Sequence, residues 1–371
     1  MPLDRLYFQG LRNLTPSDWQ PAPHINLIFG DNGSGKTSLL EGLHVLGMGR
    51  SFRTRQLKSA IGHDSEALTL FGRLAGDPPL PLGVERRRDS EGLNLRMAGE
   101  RVERIAELAR HLPVQLINPD AFRLIEGAPA ARREFLDWGV FYVEPDFFDI
   151  WRRVRRSLKH RNALLRHDRI DDRSMALWNR ELAHWSERLD AMRSAWMARF
   201  VEVFQETLVE LAALPTLSLR YHRGWDKNRS LEEMLGESLA TDRQMKFTQQ
   251  GPQRADLRLR MGRHPAAEVL SRGQQKLVVS AMKLAQGRLL EQETARRCLY
   301  LIDDLAAELD DRHRRAFCRL LERMNCQTFL TGIEPAALEG HWRGATDVKR
   351  FHVKQGRLAE AADGAMTRGH Q

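Results

Sequence analysis

A phosphate-binding loop is the feature that most restricts what this chain can fold into. The pattern GxxxxGK[ST] is matched by Gly30, Asp31, Asn32, Gly33, Ser34, Gly35, Lys36 and Thr37, and Ser38 follows it. An apolar strand (INLIF) precedes the loop and a helical run (TSLLEGLHVL) comes after it. Glycines let backbone N–H groups face phosphate oxygens, and the helix adds its positive dipole end. The pattern predicts an α/β domain that binds a nucleotide.

Such a loop needs a carboxylate that holds a metal ion. We expect Lys36 to reach the β- and γ-phosphates and the Thr37 hydroxyl to bind Mg²⁺. Asp303 and Asp304 directly follow the apolar segment LYLI. We expect Asp303 to hold Mg²⁺ directly or through water, and Asp304 to orient or deprotonate the attacking water. Two acids after a strand can also be solvated side chains, so this interpretation depends on the other motifs.

The segment LSRGQ, at residues 270–274, opens a predicted helix, and AELD follows the two acids. This order resembles ABC-type ATPases, in which the serine and backbone of LSxGQ complete the nucleotide site of the opposing subunit. The resemblance makes Ser271, Gly273 and Gln274 candidates for ATP contact across an interface. With one P-loop and one LSxGQ segment per chain, it implies two copies arranged head to tail around two ATP molecules.

The order of predicted elements suggests three parts. Residues 1–128 hold strands, turns and the P-loop, with a mixed sheet near the first strand and a hairpin around Ser90–Gly92. Residues 129–214 have helical periodicity and form a helical lobe that Pro215 ends. Residues 215–371 return to strand–helix–strand order. We therefore expect an ABC-type ATPase head, a mixed sheet with flanking helices, into which a mostly helical lobe is inserted, without a long coiled coil.

Composition and charge restrict the compartment and the partner. The chain has 371 residues and a formal net charge of +9, which favours a polyanionic partner or, equally, a solvated basic surface. Its cysteines, Cys298, Cys318 and Cys326, lack zinc-site or disulfide-framework spacing, as expected in a reducing cytosol. No run approaches the roughly 20 apolar residues of a transmembrane helix, so we expect a cytoplasmic protein without a membrane partner.

A strongly basic segment lies inside the predicted lobe. From Trp151 to Arg166 it contains many Lys and Arg residues and no acid. On a helix one face would present Arg152, Arg155, Arg156 and Lys159, a stripe suited to a phosphate backbone. The alternative is a solvated helix whose charge is offset by Asp168, Asp171 and Asp172. The run at residues 86–88 (RRR) is a weaker candidate, because it also fits an exposed turn.

Taken together, these motifs resemble the RecF family of bacterial recombination-mediator ATPases, relatives of SMC and Rad50 heads. Matching stretches are FGDNGSGKTSLLE, LSRGQQKL, LIDDLAAELDD, GLRNL, RREFLDWGVF, KHRNALLR and GPQRADLR. Arg12 matches the family arginine that approaches the nucleotide, and Gln115 is a candidate Q-loop residue or, alternatively, a buried strand residue. Gln253 departs from the usual histidine, and Thr331 and Gly332 stand where transporters carry a switch histidine.

The resemblance implies an ATP- and Mg²⁺-dependent homodimer that binds duplex DNA next to single-strand gaps. It further implies a nucleoid-associated protein of DNA repair, recombination, replication and the SOS response, which helps RecO and RecR to load RecA. A weak DNA-linked ATPase would then act as a switch. An ABC transporter subunit and an ATP-linked nuclease are the alternatives. The former should have a shorter helical lobe, and the latter an additional metal domain.

Overall fold

The computed structural model describes residues 2–167, 171–212, 214, 217–334, 341–342 and 347–361. They divide into two compact units. The first comprises Met1–Ala121, Glu210–Ala212 and Lys276–Gln371, and the second comprises Phe122–Val209 and Ala213–Gln275. Most of the predicted lobe, 129–214, falls in the second unit, which also takes in residues up to Gln275. Pro215 lies outside the described residues, and the predicted domain limits stay predictions.

A mostly parallel sheet organises the first unit. Its order in space is β15 (Arg357–Glu360), β14 (Val348–Lys354), β3 (Ile25–Phe29), β13 (Thr328–Gly332), β12 (Leu299–Ile302) and β8 (Val114–Ile117). Only the β14–β15 pair is antiparallel. Every residue of β3, β12 and β13 is buried, as in sheets covered on both faces. Since carboxyl ends of parallel strands share an edge, the segments after these strands converge there.

An antiparallel sheet forms the other layer of this unit. Its order is β2 (Ser17–Trp19), β1 (Leu3–Gln9), β4 (Ala67–Leu74), β5 (Leu80–Arg87), β6 (Asn94–Met97) and β7 (Glu100–Val102). Strand β4 alternates half-buried and buried residues, so one face packs on the core. Strands β5 and β6 form the hairpin predicted around Ser90–Gly92. Strand β1 pairs with β2 and β4 in this antiparallel sheet.

Helix α1 (Lys36–Met48) contacts strands of both sheets of the first unit. Residues 38–47 are all buried, so the helix has no solvated face there. Leu40 and Leu43 share one apolar cluster with Leu70 of β4 and Leu301 of β12. Each fully buried leucine contributes roughly 1.5–3 kcal/mol to stability. This packing fixes the amino end of α1 at the carboxyl edge of the parallel sheet.

Other short helices complete the first unit. They are the 3₁₀ helix Leu57–Ala60, α2 (Ile105–His111), α10 (Leu305–Glu308) and α11 (Asp311–Met324). A further 3₁₀ helix, Pro119–Leu124, follows β8, and α9 (Arg272–Thr294) begins in the second unit and continues in the first. Asp310 caps α11, accepting a hydrogen bond from the His313 backbone N–H at 3.0 Å.

The second unit is mainly helical. Its helices are α3 (Pro129–Val143), α4 (Phe147–Leu164), α5 (Asp172–Leu211, whose last two residues belong to the first unit), α6 (Leu231–Glu237), α7 (Leu239–Met245), α8 (Ala266–Val269) and the 3₁₀ helix Pro252–Arg254. A small antiparallel sheet contains β9 (Leu217–His222), β10 (Asp256–Met261) and β11 (His264–Pro265). Phe135 of α3 packs edge-on against Trp196 and Phe200 of α5.

Helix α5 is the longest of the described helices, with 40 residues and a length of about 60 Å. The next longest, α9, has 23 residues. Two helices of the length of α5 would be needed for a long coiled coil, and the described part of the chain contains only this one. None of the described helices combines the length and apolarity required to cross a bilayer.

Candidate functional site

The glycine-rich loop joins β3 to α1 at the carboxyl edge of the parallel sheet. Gly30 has a φ of 147°, and a Cβ at this position would lie 2.2 Å from the Val353 carbonyl oxygen. Gly35, directly before α1, has a φ of 121°, and its Cβ would lie 2.6 Å from Cδ2 of Leu14. Both positions therefore require glycine for the backbone conformation and for the close approach of neighbours.

Lys36 is the first residue of α1 and reaches back over the loop. Its Nζ donates hydrogen bonds to the carbonyl oxygens of Gly30 at 2.6 Å and Asp31 at 2.9 Å. Burial lowers the pKa of Lys36, and the carboxylates of Asp304, Asp303 and Asp31 partly offset this change. The ammonium group thus lies among acids at the mouth of the loop, where it can reach a bound anion.

Thr37 and Asp303 meet at the same edge of the sheet. The Thr37 hydroxyl lies 3.1 Å from each carboxylate oxygen of Asp303, to which it can donate a hydrogen bond. Asp303 follows β12 directly, and its backbone N–H donates to the Ile117 carbonyl at the end of β8. The two side chains that the sequence predicts as magnesium ligands are therefore in contact, although they are far apart in the chain.

These two residues fit a magnesium ion that is held together with phosphate. Mg²⁺ prefers oxygen ligands and usually binds through one or two carboxylates plus substrate phosphates and water. The Asp303 carboxylate and the Thr37 hydroxyl supply oxygen atoms at 3.1 Å from each other, next to the phosphate-binding loop. The donor set is therefore chemically suitable for Mg²⁺ when a nucleotide brings the remaining oxygens.

Asp304 lies next to this pair in an uncommon backbone conformation. Its φ of 53° and ψ of 52° place it in the left-handed region, directly before α10. Its backbone N–H donates to the Thr331 hydroxyl at 3.0 Å, and that hydroxyl donates to Asp303 Oδ1 at 2.6 Å. Thr331 is fully buried in β13. The sequence did not predict this link between the two acids.

A cavity of about 820 Å³ opens over these groups. Its lining includes the predicted residues Arg12, Asn32, Gly33, Gly35, Lys36, Thr37, Ser38, Asp303 and Asp304. It also includes residues that were not predicted, namely Asn13, Arg53, Ile61, Gly62, His63, Asp64, Pro119, Thr331 and Ile333. The volume is in the range of small-molecule sites, and the lining is basic and polar enough for a phosphorylated ligand.

A buried carboxylate holds two arginines at one side of this cavity. Glu41 of α1 has no exposed surface, and it accepts two hydrogen bonds from Arg12, at 2.9 and 2.7 Å. Arg53 lies 3.4 Å from the same carboxylate. Burial by itself would raise the pKa of Glu41, but hydrogen bonds from Arg12 and Ser51 outweigh it and lower that pKa. Arg12 is thus positioned at the cavity by its partner in α1.

Sequence reasoning missed Glu41, Arg53 and Thr331. Glu41 carried one signal, since it is the single acid in the apolar run TSLLEGLHVL, whose helix is buried. A lone acid in such a helix requires a cationic partner. Arg53 carried no comparable signal, because its neighbours in space are not adjacent to it in the chain. Thr331 was singled out only as standing, with Gly332, where transporters carry a switch histidine, which did not indicate its contacts with the two acids.

Gln115 lies inside β8, where it is 1% exposed. Its Nε2 donates to Oε1 of Gln286 in α9 at 2.9 Å. It is absent from the residues that line the cavity, whereas Pro119, just beyond the end of β8, is among them. This environment agrees with the alternative interpretation of Gln115 as a buried strand residue, and its role as a Q-loop residue stays a prediction.

The LSxGQ segment forms the amino end of α9 in the second unit. The Ser271 hydroxyl accepts a hydrogen bond from the Gln274 backbone N–H at 3.3 Å, and Gln274 Oε1 accepts one from the Ser271 N–H at 2.9 Å. This reciprocal pair is a capping box. Ser271 and Gly273 are exposed. The segment therefore presents its serine, glycine and helix end to solvent in this single chain.

The four basic residues predicted to share one face of α4 are exposed. Arg152, Arg155, Arg156 and Lys159 are all exposed, whereas Val154 and Ser157 are buried. Arg155 lies over the Trp151 ring, 4.7 Å from its centroid, and Arg152 lies over Phe148 at 5.8 Å. We call these four residues the basic face of α4. Of the acids that the alternative interpretation invoked, Asp171 and Asp172 are exposed, and Asp168 lies outside the described residues.

Comparisons with known proteins identify the family. The family described as RecF/RecN/SMC N terminal domain matches residues 2–356. The DNA replication and repair protein RecF of Chromohalobacter salexigens is 67% identical over 358 residues, which cover 96% of this chain and 99% of that protein. RecF of Pseudomonas paraeruginosa is 49% identical over 362 residues, covering 97% and 98%.

Solved structures show the same fold. The recombination mediator protein RecF with ATP, in the RecFOR pathway, has a TM-score of 0.86 and 22% identity over 97% of this chain and 98% of that one. An Smc head bound to the C-winged helix domain of ScpA has a TM-score of 0.58 and 12% identity, covering 98% of both chains. By its family match and by its identity with these relatives, the chain belongs to the RecF family of DNA replication and repair proteins.

Proposed function

We propose that this chain is an ATP-dependent DNA-binding protein of recombinational repair and replication restart. The observation that carries the proposal is the convergence of Lys36, Thr37 and Asp303 beside a cavity of about 820 Å³. Nucleotide binding there would control the grip on DNA. The names of the relatives supply the biological process, which these contacts alone do not specify.

The nucleotide is ATP with Mg²⁺. Backbone N–H groups of the loop and the ammonium group of Lys36 would bind the phosphates, while Thr37 and Asp303 would hold the metal ion. Bound Mg²⁺ would neutralise charge that develops on the phosphate oxygens. Asp304 orients or deprotonates the attacking water, and its short side chain favours slow turnover. The protein is then a weak DNA-linked ATPase that serves as a switch.

ATP acts by joining two copies of the chain. Ser271 and Gly273 of one copy would complete the nucleotide site of the other, a role that suits their exposure at the amino end of α9. Because ATP then contacts the dimer through more groups than the monomer, it shifts the equilibrium towards the dimer. Hydrolysis removes the phosphate contacts that bridge the two copies and releases the dimer from DNA.

The dimer binds duplex DNA next to single-strand gaps and assists the loading of RecA together with RecO and RecR, in repair and the SOS response. The basic face of α4 supports the DNA part of this proposal, because four exposed cations on one helix face suit a phosphate backbone. Such contacts are independent of sequence, in agreement with recognition of a DNA structure.

The decisive experiment compares binding to duplex and gapped DNA with and without ATP and Mg²⁺. We expect ATP to strengthen binding of the wild type and Lys36→Ala to abolish this effect, since each charged hydrogen bond contributes about 1.5–3 kcal/mol. Lys227→Ala, at an exposed lysine of the second unit, is the control. DNA affinity that is independent of ATP in the wild type would refute the proposal.

A further inference from the structure

Thr331 connects the two acids of the candidate site. It lies in β13, has no exposed surface, and its hydroxyl makes two hydrogen bonds of opposite direction. It donates to Oδ1 of Asp303 at 2.6 Å and accepts from the backbone N–H of Asp304 at 3.0 Å. One side chain thus contacts both the predicted metal ligand and the residue predicted to act on water.

The sheet register explains why this position can do so. Strands β12 and β13 are parallel neighbours, with Ile302 opposite Leu330. Asp303 and Thr331 come next along the two strands and therefore lie side by side. After Asp303 the chain leaves the sheet through Asp304, whose φ of 53° is rare for a residue with a side chain. A hydrogen bond from the Asp304 N–H stabilises that turn.

A hydroxyl group suits this place because it donates and accepts at once. Valine has nearly the same shape but neither function, so it would leave the Asp304 N–H and one carboxylate oxygen without this partner. With Oδ1 engaged by Thr331, the Asp303 carboxylate is held in one orientation towards Thr37. Mutation of a group that holds a metal ligand in this way typically lowers metal affinity or activity 10- to 100-fold.

We propose that Thr331 is a positioning residue that fixes the directions of the Asp303 carboxylate and of the Asp304 backbone. The inference rests on the proposed function, because it assigns Thr331 a role towards Mg²⁺ and the attacking water. In this chain the threonine hydroxyl therefore organises the two acids that follow β12. Its action is indirect, through the two acids.

The test uses three variants of the full chain. Thr331→Val removes the hydroxyl, Thr331→Ser keeps it, and Thr328→Val removes the hydroxyl of another fully buried threonine of β13. The Thr328 hydroxyl contacts Cys326, at 3.5 Å from its carbonyl oxygen, and lies at the opposite end of the strand. It therefore controls for the removal of a buried hydroxyl in the same strand.

Two readouts separate positioning from a structural role. The first is kcat and KM for ATP hydrolysis. The second is the Mg²⁺ concentration that half-saturates binding of the fluorescent analogue mant-ATP, which requires no turnover. For Thr331→Val we expect a kcat that is roughly 10- to 100-fold lower and a similar rise in the Mg²⁺ requirement. Binding of mant-ATP in EDTA, and KM at saturating Mg²⁺, should stay within about threefold of the wild type.

The controls decide the outcome. Thr331→Ser should recover at least half of the wild-type kcat, and Thr328→Val should match the wild type in both readouts. If Thr331→Val behaves like Thr328→Val, or if Thr331→Ser is as impaired as Thr331→Val, Thr331 does not position the acids. If the wild type itself binds no mant-ATP, the proposed function is refuted. This outcome differs from the two preceding ones, which refute only the positioning role of Thr331.

Discussion

Arg161 and Asp242 form an ion pair in which neither side chain has any exposed surface. The Arg161 Nη1 lies 2.7 Å from Oδ2 of Asp242 and therefore joins α4 to α7. Asn179, Thr248 and the Leu235 carbonyl accept further hydrogen bonds from the same guanidinium group. Arg161 belongs to the basic run that predicts DNA contact, yet its charge serves the interior of the second unit.

Removal of Arg161 should strongly destabilise this unit. Arg161→Ala leaves Asp242 buried without its cation, which typically costs about 3–5 kcal/mol. Arg156→Ala, at an exposed position of the same helix, should change the free energy of unfolding by less than about 0.5 kcal/mol. Urea unfolding followed by tryptophan fluorescence measures both, because six of the eight tryptophans lie in the second unit.

A double variant distinguishes an uncompensated charge from a missing side chain. Arg161→Met combined with Asp242→Leu removes both charges but retains apolar volume, and it should recover most of the stability that Arg161→Ala removes. Equal destabilisation by Arg161→Ala and Arg156→Ala would contradict the buried pair.

The basic face of α4 should set the salt dependence of DNA binding. Replacing Arg152, Arg155, Arg156 and Lys159 with alanine should weaken binding to duplexes of any sequence. The slope of log K against log salt should fall by about 0.9 for each DNA phosphate that the variant no longer neutralises. Fluorescence anisotropy with labelled duplexes at several salt concentrations measures this slope.

A charge-matched control exists in the same unit. Alanine at the exposed residues Arg220, Arg258, Arg260 and Arg263 removes the same number of charges around the small sheet. This variant should keep the wild-type slope. If both quadruple variants reduce the slope equally, net charge rather than the basic face of α4 determines affinity.

The pattern of α4 shows what the sequence could have revealed. Its buried positions, Phe147, Ile150, Val154, Ser157 and Arg161, alternate in steps of three and four residues. That spacing defines the inner stripe of a helix, and Arg161 lies on it. The periodicity therefore predicts that Arg161 is buried, whereas a count of basic residues in the segment does not distinguish Arg161 from its exposed neighbours. The exposed positions of the basic face were predictable from the same periodicity.

The candidate site was predictable where the chemistry is local. The loop, Lys36 and Thr37 follow from one continuous motif, and Asp303 follows from a buried strand that ends in an acid. By contrast, the contacts of Thr331 with Asp303 and of Arg12 with Glu41 depend on which strand and helix lie next to one another. Periodicity cannot supply this tertiary information. Gln115 illustrates the same limit, since its partner Gln286 lies far along the chain.

Ser271→Arg should abolish ATP-dependent dimerisation. The larger charged side chain would occupy the exposed amino end of α9 and exclude the phosphates of the ATP that is bound to a second copy. Mass in solution, with and without ATP and Mg²⁺, measures the effect. Because Ser271 also caps its helix, removal of the cap by itself must be controlled.

Ser230→Arg supplies that control. Ser230 caps α6 by accepting a hydrogen bond from the Glu233 N–H at 3.2 Å, so this variant also loses a serine cap in the second unit. Each cap contributes about 1 kcal/mol to stability. Ser230→Arg should still dimerise with ATP. Intact ATP-dependent dimerisation of Ser271→Arg would make the head-to-tail arrangement wrong.

His44 should make stability depend on pH. It lies in α1 and donates from Nδ1 to the Arg50 carbonyl at 2.7 Å, and its ring meets Phe52 edge-on. These contacts anchor the segment that leads to Arg53 at the cavity. Burial lowers the pKa of His44 from 6.5 to about 4, although the hydrogen bond to Arg50 opposes this change. The folded protein therefore keeps the imidazole neutral at pH values where the unfolded chain binds a proton.

The sign of the effect follows from proton uptake. Well above pH 6.5 both states are neutral at this residue and its contribution to stability is complete. As the pH falls towards 4, the unfolded state is stabilised by protonation and the contribution disappears. Between pH 7 and 4.5 the free energy of unfolding should fall by about 2–3 kcal/mol on account of His44.

His44→Gln, which cannot titrate, should lack this part of the decrease. Because carboxylates titrate in both proteins, the measured quantity is the difference between wild type and His44→Gln in urea unfolding at the two pH values. A difference that is the same at pH 7 and pH 4.5 would show that His44 is not held neutral by burial.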